Sequence, residues 1–160
     1  MARPLRIEYP GAYYHVLARG HRKDLIFYSN RDRQEFIRRL QETAAKYQFR
    51  IHSYVLMNNH YHLLIATLNG NLARGMHYLN ASYSNWFRIK HNLVGSIFQG
   101  RYKAILVEKD NYLGNVIRYI VLNPVRAKLV KRPGEWPWSS AKAHLKGRDD
   151  RLVKVEPLLA

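Results

Sequence analysis

The chain contains no cysteine. That excludes disulfides, thiolate metal sites and cysteine nucleophiles, and it agrees with a reducing compartment. Acidic side chains are scarce: 11 Asp and Glu stand against 27 Lys and Arg in 160 residues, a formal charge of +16. No apolar run approaches the ~20 residues that a membrane span needs. The stretch from Met1 to Glu8 has no apolar centre of the kind a signal peptide carries. The expected location is cytoplasmic, with no membrane partner. Internal repeats and low-complexity segments are also missing.

What is present is enough for a folded domain. Hydrophobic residues make up 47% of the chain, so a core of ordinary size is available. The positive charges run along the whole chain rather than gathering in a tail. A folded, basic surface meets polyanions, and nucleic acid is the first candidate; a ribosomal or membrane-surface protein is the plainer alternative. There are 12 tyrosines. Arginine and tyrosine together suit single strands, whose bases stack on rings while phosphates pair with cations.

Periodicity gives the order of elements. Residues 12–18 are rich in β-formers and read as a strand with Tyr13, His15 and Leu17 on one face. Ser29 or Asn30 caps a helix over 31–47, with Phe36, Ile37, Leu40 and Ala44 as its stripe and Arg33, Arg38 and Arg39 outside it. A hairpin follows, its arms 50–56 and 57–65, with Asn58 and Asn59 at the turn because asparagine tolerates positive φ. A second helix spans 72–90, where Trp86 and Phe87 belong to the core, and a fourth strand spans 101–108. A third helix over 110–122 closes at Asn123-Pro124, since the residue before proline disfavours helical ψ. The rest, from 125 on, reads as basic and irregular; Trp136 and Trp138 either stack bases or pin it to the core, and Pro137, a rigid corner between them, favours pinning. The fold class is α+β: a ferredoxin-like, split βαββαβ antiparallel sheet with an extra C-terminal helix.

Two places carry chemistry. In the hairpin, His60 and His62 point the same way, about 7 Å apart along the strand, while Tyr61, Leu63 and Ile65 point into the core. On the third helix, Leu113, Val116, Ile117 and Ile120 form the core stripe, and Tyr112, Tyr119 and Asn123 cluster about 90° away at 100° per residue. Tyr119 and Asn123, at i and i+4, stack one turn apart. If this helix covers the open sheet face, the four side chains meet. Two imidazoles and an amide oxygen can hold a divalent ion, Mg²⁺ or Mn²⁺, that polarises a phosphate. A tyrosine hydroxyl can attack phosphorus and form a covalent intermediate. Taken singly, a His-X-His pair is more often decoration and one tyrosine among 12 a packing residue; it is the set that points to phosphodiester transfer. His15, His52, His77, His91 and His144 read as structural or facing nucleic acid, with no ligand role. Arg19, Arg101, Tyr102, Lys103 and Arg118 are the candidate DNA contacts, because phosphate is met mainly by Arg and Lys.

At these residues the chain resembles the IS200-like, single-tyrosine HUH transposases, and within them the REP-associated branch of small domesticated bacterial proteins. The resemblance is carried by Tyr14-His15-Val16 with Arg19-Gly20, by His60-Tyr61-His62-Leu63-Leu64, and by Phe98-Gln99-Gly100-Arg101-Tyr102-Lys103. It continues through Arg118-Tyr119-Ile120 into Asn123-Pro124-Val125-Arg126, and through Trp136-Pro137-Trp138-Ser139-Ser140. It implies a nuclease and strand transferase acting on single-stranded DNA near hairpins, and a protein found on the nucleoid when bound to DNA. The family's nucleophile falls on Tyr119, its metal ligands on His60, His62 and Asn123, and the helix of the extra C-terminal element is the one carrying that tyrosine. Residues 1–130 would form the transposase domain, and 131–160 a basic segment packed on it or trailing from it. Some relatives are homodimers in which the tyrosine helix of one subunit completes the partner's site; others work as monomers. The chain departs from the pattern at Asn58, where many relatives have Pro, at His21, where Asn is common, and at Asn123, where insertion-sequence relatives often have Gln. Two other functions compete: a non-catalytic ferredoxin-like binder of single strands or hairpins, and a metal-dependent hydrolase using activated water.

Overall fold

Alternating side chains on four strands give the sheet two faces, each of which must be covered. The computed structural model describes residues 8–147 together with 152 and 153, the side chains of 109–111 excepted. Strand β1 is Ala12–Arg19, β2 is Phe49–Leu56, β3 is His60–Thr67 and β4 is Lys103–Val107. They form one antiparallel sheet in the order β2-β3-β1-β4. With helix α1 (Asn30–Tyr47) between β1 and β2 and α2 (Leu72–His91) between β3 and β4, this is the ferredoxin-like plan.

The first face is the main core. Tyr14, Val16, Tyr61, Leu63 and Ile65 from the strands meet Phe36 and Leu40 of α1 and Met76, Leu79, Tyr83 and Phe87 of α2. Phe36, Leu40, Leu63 and Tyr83 have no exposed surface at all. Truncating such a side chain to alanine costs about 2–5 kcal/mol. Trp86, expected in the core, packs against its edge and is only partly buried.

The second face is covered at one end by helix α3 (Lys109–Val121). Its Leu113, Ile117 and Ile120 pack on Val55, Leu64 and Val107, with Trp136 beside them. Three expectations need correction here. The third helix ends where expected, at Val121, but proline does not take the chain out of helical conformation: Leu122 stays in the right-handed helical region, and α4 (Asn123–Arg126) follows at once. Pro124 sits in its first turn, where a missing N–H costs nothing. The chain beyond is also more regular than expected, with a 3₁₀ turn at Pro133–Glu135 and helix α5 (Ala141–Lys146). Residues 138–140 run along β2: the Leu56 amide donates to the Trp138 carbonyl at 2.8 Å and the Ser140 amide to Tyr54 at 3.0 Å. Trp136 and Trp138 do pin this segment, their indole N–H groups donating to the Leu56 carbonyl and to Asn30 Oδ1, both at 3.1 Å.

The third correction concerns Arg33. It lies three residues before Phe36 and seven before Leu40, so helical spacing puts it on the apolar stripe rather than outside it. It is 8% exposed. Its guanidinium donates to Asn58 Oδ1 at 2.5 Å and lies 5.3 Å from the centre of the Phe27 ring. The hairpin turn is thus held from α1. Neither Asn58 nor Asn59 adopts positive φ, so these residues serve the turn through their side chains.

The first turn of α1 is fixed by a buried charge. Ser29 caps the helix, its hydroxyl accepting from the Asp32 amide. Asp32, fully buried, accepts from the Tyr28 amide and contacts Lys90 Nζ at 2.8 Å and His91 Nε2 at 2.9 Å at the end of α2. Burial works to raise its carboxyl, but the hydrogen bonds from Lys90, Tyr28 and His91 outweigh that and hold it below the usual carboxylate value. A depressed folded-state value means that this stability is present above about pH 4 and is lost as the pH falls through it. Asp32→Asn is expected to destabilise the chain by about 3 kcal/mol at neutral pH, since Lys90 loses its counter-charge. Urea unfolding at pH 7 and at pH 3 checks this: the gap between variant and parent narrows at the lower pH.

Candidate active site

The site lies on the half of the second sheet face that α3 leaves open. Antiparallel register sets Leu17 opposite His62, Arg19 opposite His60 and His15 opposite Leu64. Paired residues share a face, so His15, Leu17, Arg19, His60 and His62 all look toward α3. Lys103 pairs with Leu17 from the other side and joins them. Ile117 and Ile120 hold the helix down, and that places Tyr119 over the histidines. Its ring meets His15 and His62 edge-on, with centres 5.7 Å and 5.8 Å apart. The rings of His60 and His62 are 5.2 Å apart. His15, Arg19, His60, His62, Tyr119 and Asn123 line one cavity of about 470 Å³. A single chain supplies every one of these groups, and Tyr119 faces the histidines of its own sheet.

The side chains are held by specific partners. Asn59 Nδ2 donates to the Lys23 carbonyl at 3.3 Å, which turns Oδ1 to His60 Nδ1 at 2.7 Å. His62 Nδ1 lies 2.9 Å from His15 Nε2. Asn123 Nδ2 donates to the Tyr119 carbonyl at 3.2 Å, and its side chain also hydrogen-bonds His60. Arg126 lies with its guanidinium 4.2 Å from the centre of the Tyr119 ring and donates to the carbonyl of the same residue. It stands seven residues, two helical turns, after Tyr119, and was assigned no role from the sequence.

Electrostatics keep the imidazoles neutral. His62 is pushed down to about 3, first by burial and then by His15, His60, Arg126 and Arg19. Burial lowers His60 as well, Arg19 adds to it, and the hydrogen bond to Asn123 opposes it. His15 is lowered by burial alone. A neutral imidazole is what metal ligation requires.

Does this set suit a divalent ion? Among the described residues no three His, Asp or Glu side chains converge in a metal-holding group. The donors are therefore two imidazoles and one amide oxygen, a short and uncharged set. It fits the ion in one respect: His60 and His62 each have Nδ1 tied to the protein, which leaves Nε2 as the nitrogen for the cavity, and the side chain of Asn123 meets His60 there. Open coordination positions would remain for substrate oxygens.

The expected DNA contacts divide. Arg19, Lys103 and Arg118 are exposed, Arg19 in the cavity wall and Lys103 on the same sheet face. Arg101 is exposed but lines a separate groove of about 440 Å³ between α2 and the loop before β4, with His77, Asn80 and Ser84. Tyr102 is 7% exposed and belongs to the main core, so it packs rather than offering its ring to a base. His15 is a component that sequence reasoning set aside; its sharing of a face with His62 was the available signal.

Fold and cavity together define a ferredoxin-like domain in which a helix-borne tyrosine faces a histidine pair on the sheet. The family model described as transposase, IS200-like, matches residues 8–123. The chain belongs to the IS200-like transposase family. A REP-associated tyrosine transposase, solved bound to a REP hairpin, has the same fold: TM-score 0.76 and 16% identity, over 100% of this chain and 95% of that one. A candidate transposase from Deinococcus radiodurans shares 15% identity over 75% of this chain and 95% of its own, but its TM-score of 0.49 is too low to bear on the fold. No curated protein matches the chain significantly. No helix among the described residues is long and apolar enough to cross a membrane.

Tyr119 is 48% exposed, and no core contact rests on its hydroxyl. Tyr119→Phe is expected to change the unfolding free energy by less than about 0.5 kcal/mol. Urea denaturation followed by circular dichroism checks this, and a larger loss would show that the hydroxyl holds the fold.

Proposed function

We propose that the chain is a metal-dependent endonuclease and strand transferase for single-stranded DNA, acting near hairpins through a tyrosine–phosphate intermediate. One observation carries the reading: Tyr119, His60, His62 and Asn123 line a single cavity, within a domain of transposase family. A charge of +16 suits the substrate, and the hairpin bound by the structurally similar REP-associated protein suggests its form.

The chain's own part runs as follows. Arg19 and Lys103 meet backbone phosphates at the rim, and the cavity takes the scissile phosphate against Tyr119. The phenolic oxygen attacks phosphorus and the O–P bond forms. The bond from phosphorus to the 3′ oxygen breaks, that oxygen takes up a proton, and the phenolic proton passes to solvent. The downstream segment is then joined to Tyr119 through its 5′ phosphate, and the upstream segment keeps the free 3′ hydroxyl. Attack by a second 3′ hydroxyl reverses these steps and completes transfer. His60, His62 and Asn123 are the residues that would hold Mg²⁺ or Mn²⁺. When bound there, the ion offsets charge developing on the phosphate oxygens. Arg126, stacked on the tyrosine ring, keeps that ring in line.

A labelled hairpin oligonucleotide incubated with Mn²⁺ and run on a denaturing gel tests the reading. The parent chain is expected to give a covalent adduct and a free 3′ end. Tyr119→Phe is expected to give none while hairpin binding stays within about threefold, since uncharged contacts supply little of such affinity. Equal adduct in the variant would sink the nucleophile assignment. Neither cleavage nor adduct from the parent would favour a non-catalytic hairpin binder, and protein-free products formed without Tyr119 a hydrolase.

Phosphate contacts also leave a salt signature. Arg19→Ala and Lys103→Ala are each expected to reduce the slope of log affinity against log salt by about 1. Fluorescence anisotropy over a salt series measures it; an unchanged slope removes that residue from the contact surface.

A further inference from the structure

We infer that His15 is a positioning residue that accepts the Nδ1–H of His62 and so turns the Nε2 lone pair of His62 into the cavity. The inference rests on the proposed metal-holding role of His60 and His62.

A neutral imidazole carries one N–H and one lone pair. The 2.9 Å contact between His15 Nε2 and His62 Nδ1 therefore has two possible directions. If His62 accepts, its own N–H points into the cavity and no lone pair is left for a cation. If His62 donates, Nε2 is free. The neighbouring histidine shows which arrangement the site is built for. Asn59 Nδ2 is spent on the Lys23 carbonyl, so Oδ1 faces His60, and an amide oxygen can only accept. His60 must donate through Nδ1, which leaves its lone pair on Nε2. With His62 in the same tautomer, both imidazoles present Nε2 on one face. That requires His15 to be the acceptor.

His15 fits the part. It is 8% exposed and His62 5%, so neither ring nitrogen has bulk water as a ready alternative. It sits on β1, paired by β3 on one side and β4 on the other. Its ring lies 5.1 Å from that of His62 at 30°, and meets Tyr119 edge-on. Nor is it a third ligand: its Nε2 is committed to His62, and no three-histidine group converges there among the described residues. Partners of this kind, fixing a ligand's tautomer and ring angle, commonly affect metal affinity by about 10–100-fold.

Two measurements on the full chain test this. Long-range proton–nitrogen correlation spectra of the metal-free protein report the His62 tautomer. Electron paramagnetic resonance of free Mn²⁺ reports affinity. The parent is expected to carry the His62 proton on Nδ1. His15→Phe keeps a ring but removes the acceptor; it is expected to weaken Mn²⁺ binding about 10–100-fold and to move the His62 proton to Nε2. His15→Gln, whose amide oxygen reaches the place of the lost nitrogen, is expected to restore most of the affinity. A parent protonated on His62 Nε2 overturns the inference, as does a His15→Phe chain that binds Mn²⁺ as tightly as the parent. Should His15→Phe fail to fold, the parent's tautomer and the His15→Gln affinity decide. A parent that binds no Mn²⁺ overturns the metal reading instead, and the tautomer still shows whether His15 is the acceptor.

Discussion

The site depends on a small apolar contact: Leu113, Ile117 and Ile120 of α3 lying on Val55, Leu64 and Val107 of the sheet. Tyr119 has no buried anchor of its own and takes its place from the isoleucines on either side of it. Each such side chain contributes about 1.5–3 kcal/mol on burial. A slip of one helical turn would move the phenol about 5.4 Å along the sheet. The same contact makes the geometry directional. Apolar packing fills one end of the sheet face, and the polar residues of β1 and β3 are left at the other, where they form a wall rather than a core.

Below the helix, position is set by the ladder. β1 is central, so His15 and Leu17 are paired by both neighbouring strands, while Arg19 pairs with His60 of β3 and its carbonyl accepts from the Gln99 amide. β3 gains a second constraint from its turn. Arg33, buried on α1, reaches Asn58, and Asn59 reaches both Lys23 and His60. The two asparagines thus tie the start of the histidine strand to α1 on the opposite face of the sheet and to the connection that follows β1. Asp32, one residue before Arg33, joins that helix to α2 through Lys90 and His91. The interior behind the site is held by charge as well as by packing.

Much of this is legible in the sequence because it is local. Period two places His60 and His62 on one face, and period 3.6 places Tyr119 and Asn123 on one edge. What is not legible depends on residues distant in the chain. His15 acquires its meaning only when β1 pairs with β3, 47 residues away. Arg33 was readable from spacing, yet its charge argued for solvent; a buried guanidinium becomes reasonable only once Asn58 and the Phe27 ring are seen beside it. Tyr102 resembled a nucleic-acid contact between Arg101 and Lys103, but β4 begins one residue later and the ring turns inward. The short helices α4 and α5 have too few residues to form alone and rely on tertiary contacts, such as that of Ser140, at the start of α5, with Tyr54 of β2.

Among the described residues, those lining the cavity include no carboxylate. Inside it are neutral imidazoles, an amide and a phenol, with the cations Arg19 and Arg126 at its edge. An anionic strand entering such a space breaks no resident ion pair and meets no like charge. For a guest of that charge, entering the cavity and neutralising its cationic edge would be one event.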